Sequence, residues 1–98
     1  MPFRIVFVAE AAEDLRRLGA FCRSAVKDAI ERHLRHQPEL TSRSRIKRLE
    51  DTDSPQYRLR VGHPRVFYDI SGNDVVVLCI LPKEDSIPWL RVRERRKE

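Results

Sequence analysis

No apolar run in this sequence approaches the length of a membrane-spanning helix. Arg4 interrupts the short apolar start, so no signal peptide is expected either. Cysteine is scarce: Cys22 falls in a helical apolar stripe and Cys79 in the most apolar strand, and both are expected to be reduced, buried small hydrophobes. Two cysteines with no histidine at ligand spacing make no zinc site. His33 and His36 are three residues apart but have no carboxylate on the same face, so they are expected to end a helix and not to hold a metal. No metal or other cofactor is expected. Internal repeats are missing, as is low complexity outside the charged end. At 98 residues the chain is read as one domain spanning residues 1–98, cytoplasmic by default.

The most informative absence is local. The net charge is +5 and the pI about 9.8, which favours an acidic partner such as nucleic acid or an acidic protein segment. The excess is concentrated between Arg43 and Arg65, where seven Lys/Arg face three Asp/Glu. No carboxylate is interleaved among Arg58, Arg60 and Arg65.

Those arginines lie in the stretch Gln56–Lys83, which reads as three consecutive antiparallel strands. Tyr57, Leu59 and Val61 alternate with Arg58 and Arg60. Gly62-His63-Pro64 is a turn signal, because glycine tolerates positive φ and proline cannot donate into a central ladder. Val66, Tyr68 and Ile70 then alternate with Arg65, Phe67 and Asp69. If Leu59 and Val66 face the core, Arg58, Arg60 and Arg65 share the opposite face beside Phe67. Ser71–Asp74 closes a second hairpin, and Val75–Leu81 is the unbroken apolar run of a central strand.

Elsewhere, Phe3–Val8 alternates as a first strand. From Glu10 the period becomes helical, with Ala11, Leu15 and Leu18 on one face, until Gly19 breaks it. A second helix is predicted from about Phe21 to His36. Its stripe is Cys22, Val26, Ile30 and Leu34, widened by Ala25 and Ala29, and Pro38 prevents continuation. Ser44–Glu50 reads as a short strand that brings Ile46 and Leu49 to the core and sets Lys47 and Arg48 at a basic edge. Beyond Lys83, Ile87, Trp89 and Leu90 are apolar enough to pack back. Arg91–Glu98 is either a frayed helix or a charged tail. The resulting class is α+β: an N-terminal strand, a helical hairpin, then a mainly antiparallel sheet of four to five strands.

The order of elements, the length and the string KRL…YRLRVG-x-x-RVFYDI…VVVLCI-x-x-K resemble the RelE/ParE toxins of type II toxin–antitoxin modules, over roughly residues 3–90. The resemblance implies a RelE-like fold and a small basic toxin that is neutralised in a hetero-oligomer by a cognate antitoxin. RelE-type members bind the ribosomal A site and cleave messenger RNA without metal; ParE-type members inhibit DNA gyrase. Carried over by residue, the catalytic and phosphate-binding positions fall on Arg58, Arg60 and Arg65, with a further basic residue at Lys83. The place of the family's catalytic aromatic is held by Trp89. This is a departure, because RelE-type cleavage relies on a tyrosine or histidine there, and indole stacks on a base but does not exchange a proton. His63, beside the arginines, is the candidate with the intrinsic chemistry for proton transfer. Lys47, Arg48, Arg58, Arg60, Phe67 and Trp89 are the candidate RNA contacts. The expected activity is ribosome-dependent endoribonuclease; the alternatives are a gyrase inhibitor and an inactive member that only binds its antitoxin.

Overall fold

The computed structural model describes residues 2–94. Its elements run β1 (Arg4–Phe7), α1 (Ala9–Arg17), α2 (Ala20–Leu34), β2 (Ile46–Arg48), β3 (Tyr57–Arg60), β4 (Pro64–Ser71), β5 (Asp74–Pro82) and α3 (Lys83–Arg91). The strands form one sheet in the order β1-β5-β4-β3-β2. All neighbours are antiparallel except β1 and β5, which pair in parallel from Arg4 opposite Asp74 to Phe7 opposite Val77. The α+β class with a mainly antiparallel five-stranded sheet is therefore what the chain adopts.

One face of the sheet carries the core. Ile46, Tyr57, Leu59, Val66, Tyr68, Val75, Val77 and Ile80 cluster with Ala11 of α1 and with Val26, Ala29, Ile30 and Leu34 of α2. The four-residue spacing of the α2 stripe puts those side chains on one line down the helix, which is why it seals this face. Gly19 separates the helices as the N-cap of α2. The outer face of α2 is tied by the Glu31–Arg35 pair, and Arg35 also donates to the Phe3 carbonyl at 2.9 Å, which docks the helix end on β1. Tyr68 is fully buried and stacks on Tyr57 with ring centroids 5.4 Å apart. Its hydroxyl donates to the Pro38 carbonyl at 2.6 Å, so the proline that ends the α2 run is also anchored to the core. Burial pushes the Tyr68 phenol well above its ordinary value.

Two hairpins order the other face. Gly72, at φ 59°, takes the first central position of the β4–β5 turn, where a two-residue hairpin of the II′ kind demands positive φ. The β4–β5 register shifts between Phe67 and Tyr68, opposite Cys79 and Val77, which leaves Leu78 as the extra residue. Cys79 is buried and Cys22 only half-buried; both are free thiols, and burial followed by the charge of Asp14 pushes the Cys79 thiol up to about 12.

The C-terminal region differs most from the expectation. Lys83–Arg91 is a helix despite Pro88 in its interior. Glu84 and Asp85 in its first turn and Arg91 in its last suit the helix dipole, and the buried Ser86 hydroxyl donates to the Lys83 carbonyl at 2.6 Å. Of the expected tail, Arg91 closes α3 and residues 95–98 lie outside the described residues. No helix among the described residues is long and apolar enough to cross a membrane.

Candidate anion-binding site

The antiparallel registers fix which side chains share the face away from α1 and α2. Lys47 pairs with Arg58, Arg58 with Phe67, and Phe67 with Cys79, making one row across β2, β3, β4 and β5. Arg60, Arg65 and Leu81 make the next row. A basic strip from Lys47 to Arg65 therefore passes into an apolar strip of Phe67, Cys79 and Leu81. Arg48, one residue along from Lys47, falls on the opposite face, where its guanidinium lies 5.0 Å over the Tyr57 ring. The structure thus separates Lys47 and Arg48, which the sequence reading set on one edge.

The three arginines occupy different environments. Arg60 is exposed. Arg58 is half-buried, and its Nε is enclosed without a hydrogen-bond partner. Burial, then the charges of Arg65 and Arg60, lower its pKa, so the charged groups acting on it carry its own sign. Arg65 is only 6 % exposed. Its Nη1 donates to the Gly62, His63 and Pro64 carbonyls at 2.7, 2.8 and 3.3 Å, clamping the β3–β4 turn from inside. Asp69, on the same face, is engaged elsewhere: its carboxylate accepts from the Gln56 backbone N–H at 2.7 Å and from the Ser54 hydroxyl at 2.5 Å. No ion pair among the described residues engages Arg58, Arg60 or Arg65.

The turn and α3 close the end of the basic strip. Pro64 sits opposite Pro82 at the end of the ladder, and the chain turns into α3 at Lys83. His63 Nε2 lies 2.6 Å from Glu84 Oε2, both side chains being largely exposed. Glu84 is held below the usual carboxylate range, first by its own backbone N–H and then by His63. Trp89, on the same helix, covers the apolar strip: its ring stacks on Phe67 with centroids 5.1 Å apart and planes at 30°. Phe67 is fully buried and offers no open ring face. The guanidinium carbon of Arg93 sits 3.8 Å from the Trp89 ring centroid on the indole.

The face and the turn and helix at its end therefore gather Lys47, Arg58, Arg60, Arg65, His63 and Trp89, with Lys83 at the start of the same helix as Trp89, and leave Arg48 apart. Sequence reasoning missed Glu84 and Arg93. The i,i+4 spacing of Trp89 and Arg93 was a usable signal for the second, once a helix is granted there. The contacts of His63 with Glu84 and of Phe67 with Trp89 are made across elements, and no local pattern encodes them. His33, on α2 near Arg45, is half-buried, and burial together with Arg45 and Arg32 lowers its pKa.

Fold and face together define a class: a small basic α+β protein with a helical hairpin on one side of its sheet and, on the other, guanidinium groups that no carboxylate among the described residues engages. Residues 5–87 match the family described as ParE toxin of type II toxin-antitoxin system, parDE. Solved structures share the fold. The RelBE2 toxin–antitoxin complex from Mycobacterium tuberculosis aligns with a TM-score of 0.71 at 24% identity, covering 84% of this chain and 99% of that one. The RelB–RelE complex from Methanococcus jannaschii gives 0.64 at 19% identity, over 86% and 96%. A mutant of the E. coli toxin RelE in the free state gives 0.59 at 19% identity, over 92% and 93%. No curated protein sequence matches the chain. The chain belongs to the RelE/ParE family and is a toxin of a type II toxin–antitoxin system.

Proposed function

We propose that this toxin is a RelE-like, ribosome-dependent endoribonuclease that cuts messenger RNA without metal and is neutralised by a cognate antitoxin. The observation that carries this reading is Arg58: a half-buried guanidinium with an unpartnered Nε–H, flanked by cations, is suited to a phosphate oxygen. Attack of a 2′-hydroxyl on its own phosphate needs a base, donors for the charge that develops on the phosphate, and a proton for the leaving oxygen. Arg58 and Arg60 supply fixed donors to the phosphate. Arg65 holds the turn that carries His63. His63, oriented by Glu84, is the proton-transfer group, as imidazole with a carboxylate partner is in other general-base sites. Lys83, one residue before Glu84 at the start of α3, adds a donor to the same phosphate. Trp89 stacks on a base, and Lys47 extends the backbone track. The chemical set is sparse, which fits an enzyme that relies on the ribosome to align the message.

Relatives from Mycobacterium tuberculosis, Methanococcus jannaschii and Pyrococcus horikoshii were crystallised as toxin–antitoxin complexes, which supports an antitoxin partner and a hetero-oligomer here. That antitoxin presents acidic and apolar residues to the basic and apolar strips.

The direct test is single-turnover cleavage of a message on programmed ribosomes. His63→Ala should slow cleavage by about 100-fold or more, the usual scale of a general base, with toxin still bound to the ribosome. An unchanged rate would remove His63 from the chemistry. A second reading, inhibition of DNA gyrase, is favoured by Trp89, because a binding inhibitor has no need of a proton-exchanging side chain at that place. Loss of negative supercoiling at toxin concentrations that leave the message intact would select it.

A further inference from the structure

In the free protein the half-buried indole of Trp89 already has two partners: Phe67 stacks on it with centroids 5.1 Å apart, and the Arg93 guanidinium carbon lies 3.8 Å from its ring centroid. Phe67 is buried in the sheet and cannot leave without disrupting it. Arg93 is exposed and follows the last turn of α3; besides the indole, its guanidinium donates to the Trp89 carbonyl at 3.2 Å. A planar ligand that stacks on Trp89 therefore competes with Arg93, the exposed one of its two partners, for the ring. A cleft of about 500 Å³ opens there, lined by Trp89 and Arg93, by Leu78, Cys79 and Leu81 of β5, and by Glu10 and Asp14 across from them. Its lining joins apolar side chains to the carboxylates of Glu10 and Asp14, which accept hydrogen bonds and donate none; Asp14 already accepts from the Ile80 backbone N–H at 3.0 Å through one oxygen.

We propose that this cleft is a nucleobase subsite whose place the Arg93 guanidinium holds in the free toxin, and that its carboxylates favour a base with an exocyclic amino group. The inference rests on the ribonuclease reading for the source of the base, a single-stranded RNA whose phosphates lie along Arg58 and Arg60. Guanidinium and base are both flat and both stack on indole, so one replaces the other without leaving the ring bare. The released Arg93 carries its charge toward the RNA backbone. Adenine, cytosine and guanine each turn an amino group toward Glu10 and Asp14. Uracil presents a single N–H between two carbonyl oxygens, which carboxylates repel.

Trp89 is the only tryptophan in the chain, so its emission reports this site alone. The probes are all-2′-O-methyl trinucleotides of adenine and of uracil, which cannot be cut by 2′-hydroxyl attack, with AMP and inorganic phosphate alongside. The adenine trinucleotide should quench the emission saturably, more tightly than the uracil trinucleotide or AMP. Phosphate, filling only the arginine face, should leave the emission unchanged. Removing the competing guanidinium with Arg93→Ala should tighten adenine binding by roughly three- to tenfold, as expected when the competent state becomes dominant. Glu10→Gln, with Arg93 in place, should narrow the difference between adenine and uracil.

Equal quenching by phosphate, or binding that weakens or stays the same in Arg93→Ala, overturns the placeholder role. Equal affinity for the two trinucleotides overturns the amino preference, and AMP binding as tightly as the trinucleotide overturns RNA as the source. Cleavage on ribosomes is read separately. Quenching without cleavage keeps the subsite and rejects the ribonuclease, whereas cleavage without quenching does the reverse.

Discussion

Arg60 and Arg65 are neighbours in one cross-strand row, yet their donors go to different places. Arg65 is turned inward on three carbonyls of the β3–β4 turn, while Arg60 projects outward. Arg65→Ala is therefore expected to cost about 1–3 kcal/mol of stability, the scale for buried acceptors losing their donor, along with activity. Arg60→Ala should lower activity with little change in the denaturation midpoint. Equal effects of the two on stability would show that the clamp is not structural. Tyr68→Phe leaves the Pro38 carbonyl without its donor inside the core and should also cost about 1–3 kcal/mol in urea unfolding. The alternation of residues 57–70 made the face of every one of these side chains legible in the sequence. It could not reveal that Arg65 folds back on its own turn, because that depends on the turn's carbonyls pointing inward toward the guanidinium, which no alternation encodes.

At the scale of elements, the strands and the helical hairpin follow from period alone, since apolar spacing of two and of about four dictates which face is buried. Helix α3 does not, because Pro88 removes a backbone donor and reads as a breaker. What secures α3 is contact across elements: Trp89 on Phe67 and Glu84 on His63. Pro88→Ala should accordingly raise helix content and stabilise the protein by up to about 3 kcal/mol, measured by circular dichroism and thermal unfolding. The parallel pairing of β1 with β5 was equally invisible, since a strand's own pattern does not name its neighbour.

The His63–Glu84 contact makes the hold on α3 pH-dependent. Glu84 is depressed below its ordinary value, so its contribution is complete above that value and is lost as pH falls through the depressed one. Amide exchange at the start of α3 should therefore accelerate below about pH 4 in the wild type. In Glu84→Gln the rise over this range should flatten. An identical acid profile in both proteins would show that the pair does not hold the helix.

For the whole molecule, charge and shape divide the labour. The helical hairpin seals one sheet face with apolar side chains, and on the opposite face Arg58, Arg60 and Arg65 have no ion-pair partner among the described residues. The concentration of positive charge between Arg43 and Arg65 was visible in the sequence, and the fold turns most of it to one side. Association with the antitoxin should slow as salt rises, because exposed charges steer encounter and are screened. Reversing Arg58, Arg60 and Arg65 to glutamate should weaken the complex strongly; unchanged affinity would place the antitoxin elsewhere. Whether the same face acts on RNA is decided most directly by primer extension on a defined message in a purified translation system with the toxin added alone. The ribonuclease account predicts new 5′ ends within the A-site codon that vanish when ribosomes are omitted. Intact message at toxin concentrations that stop supercoiling by gyrase would contradict it.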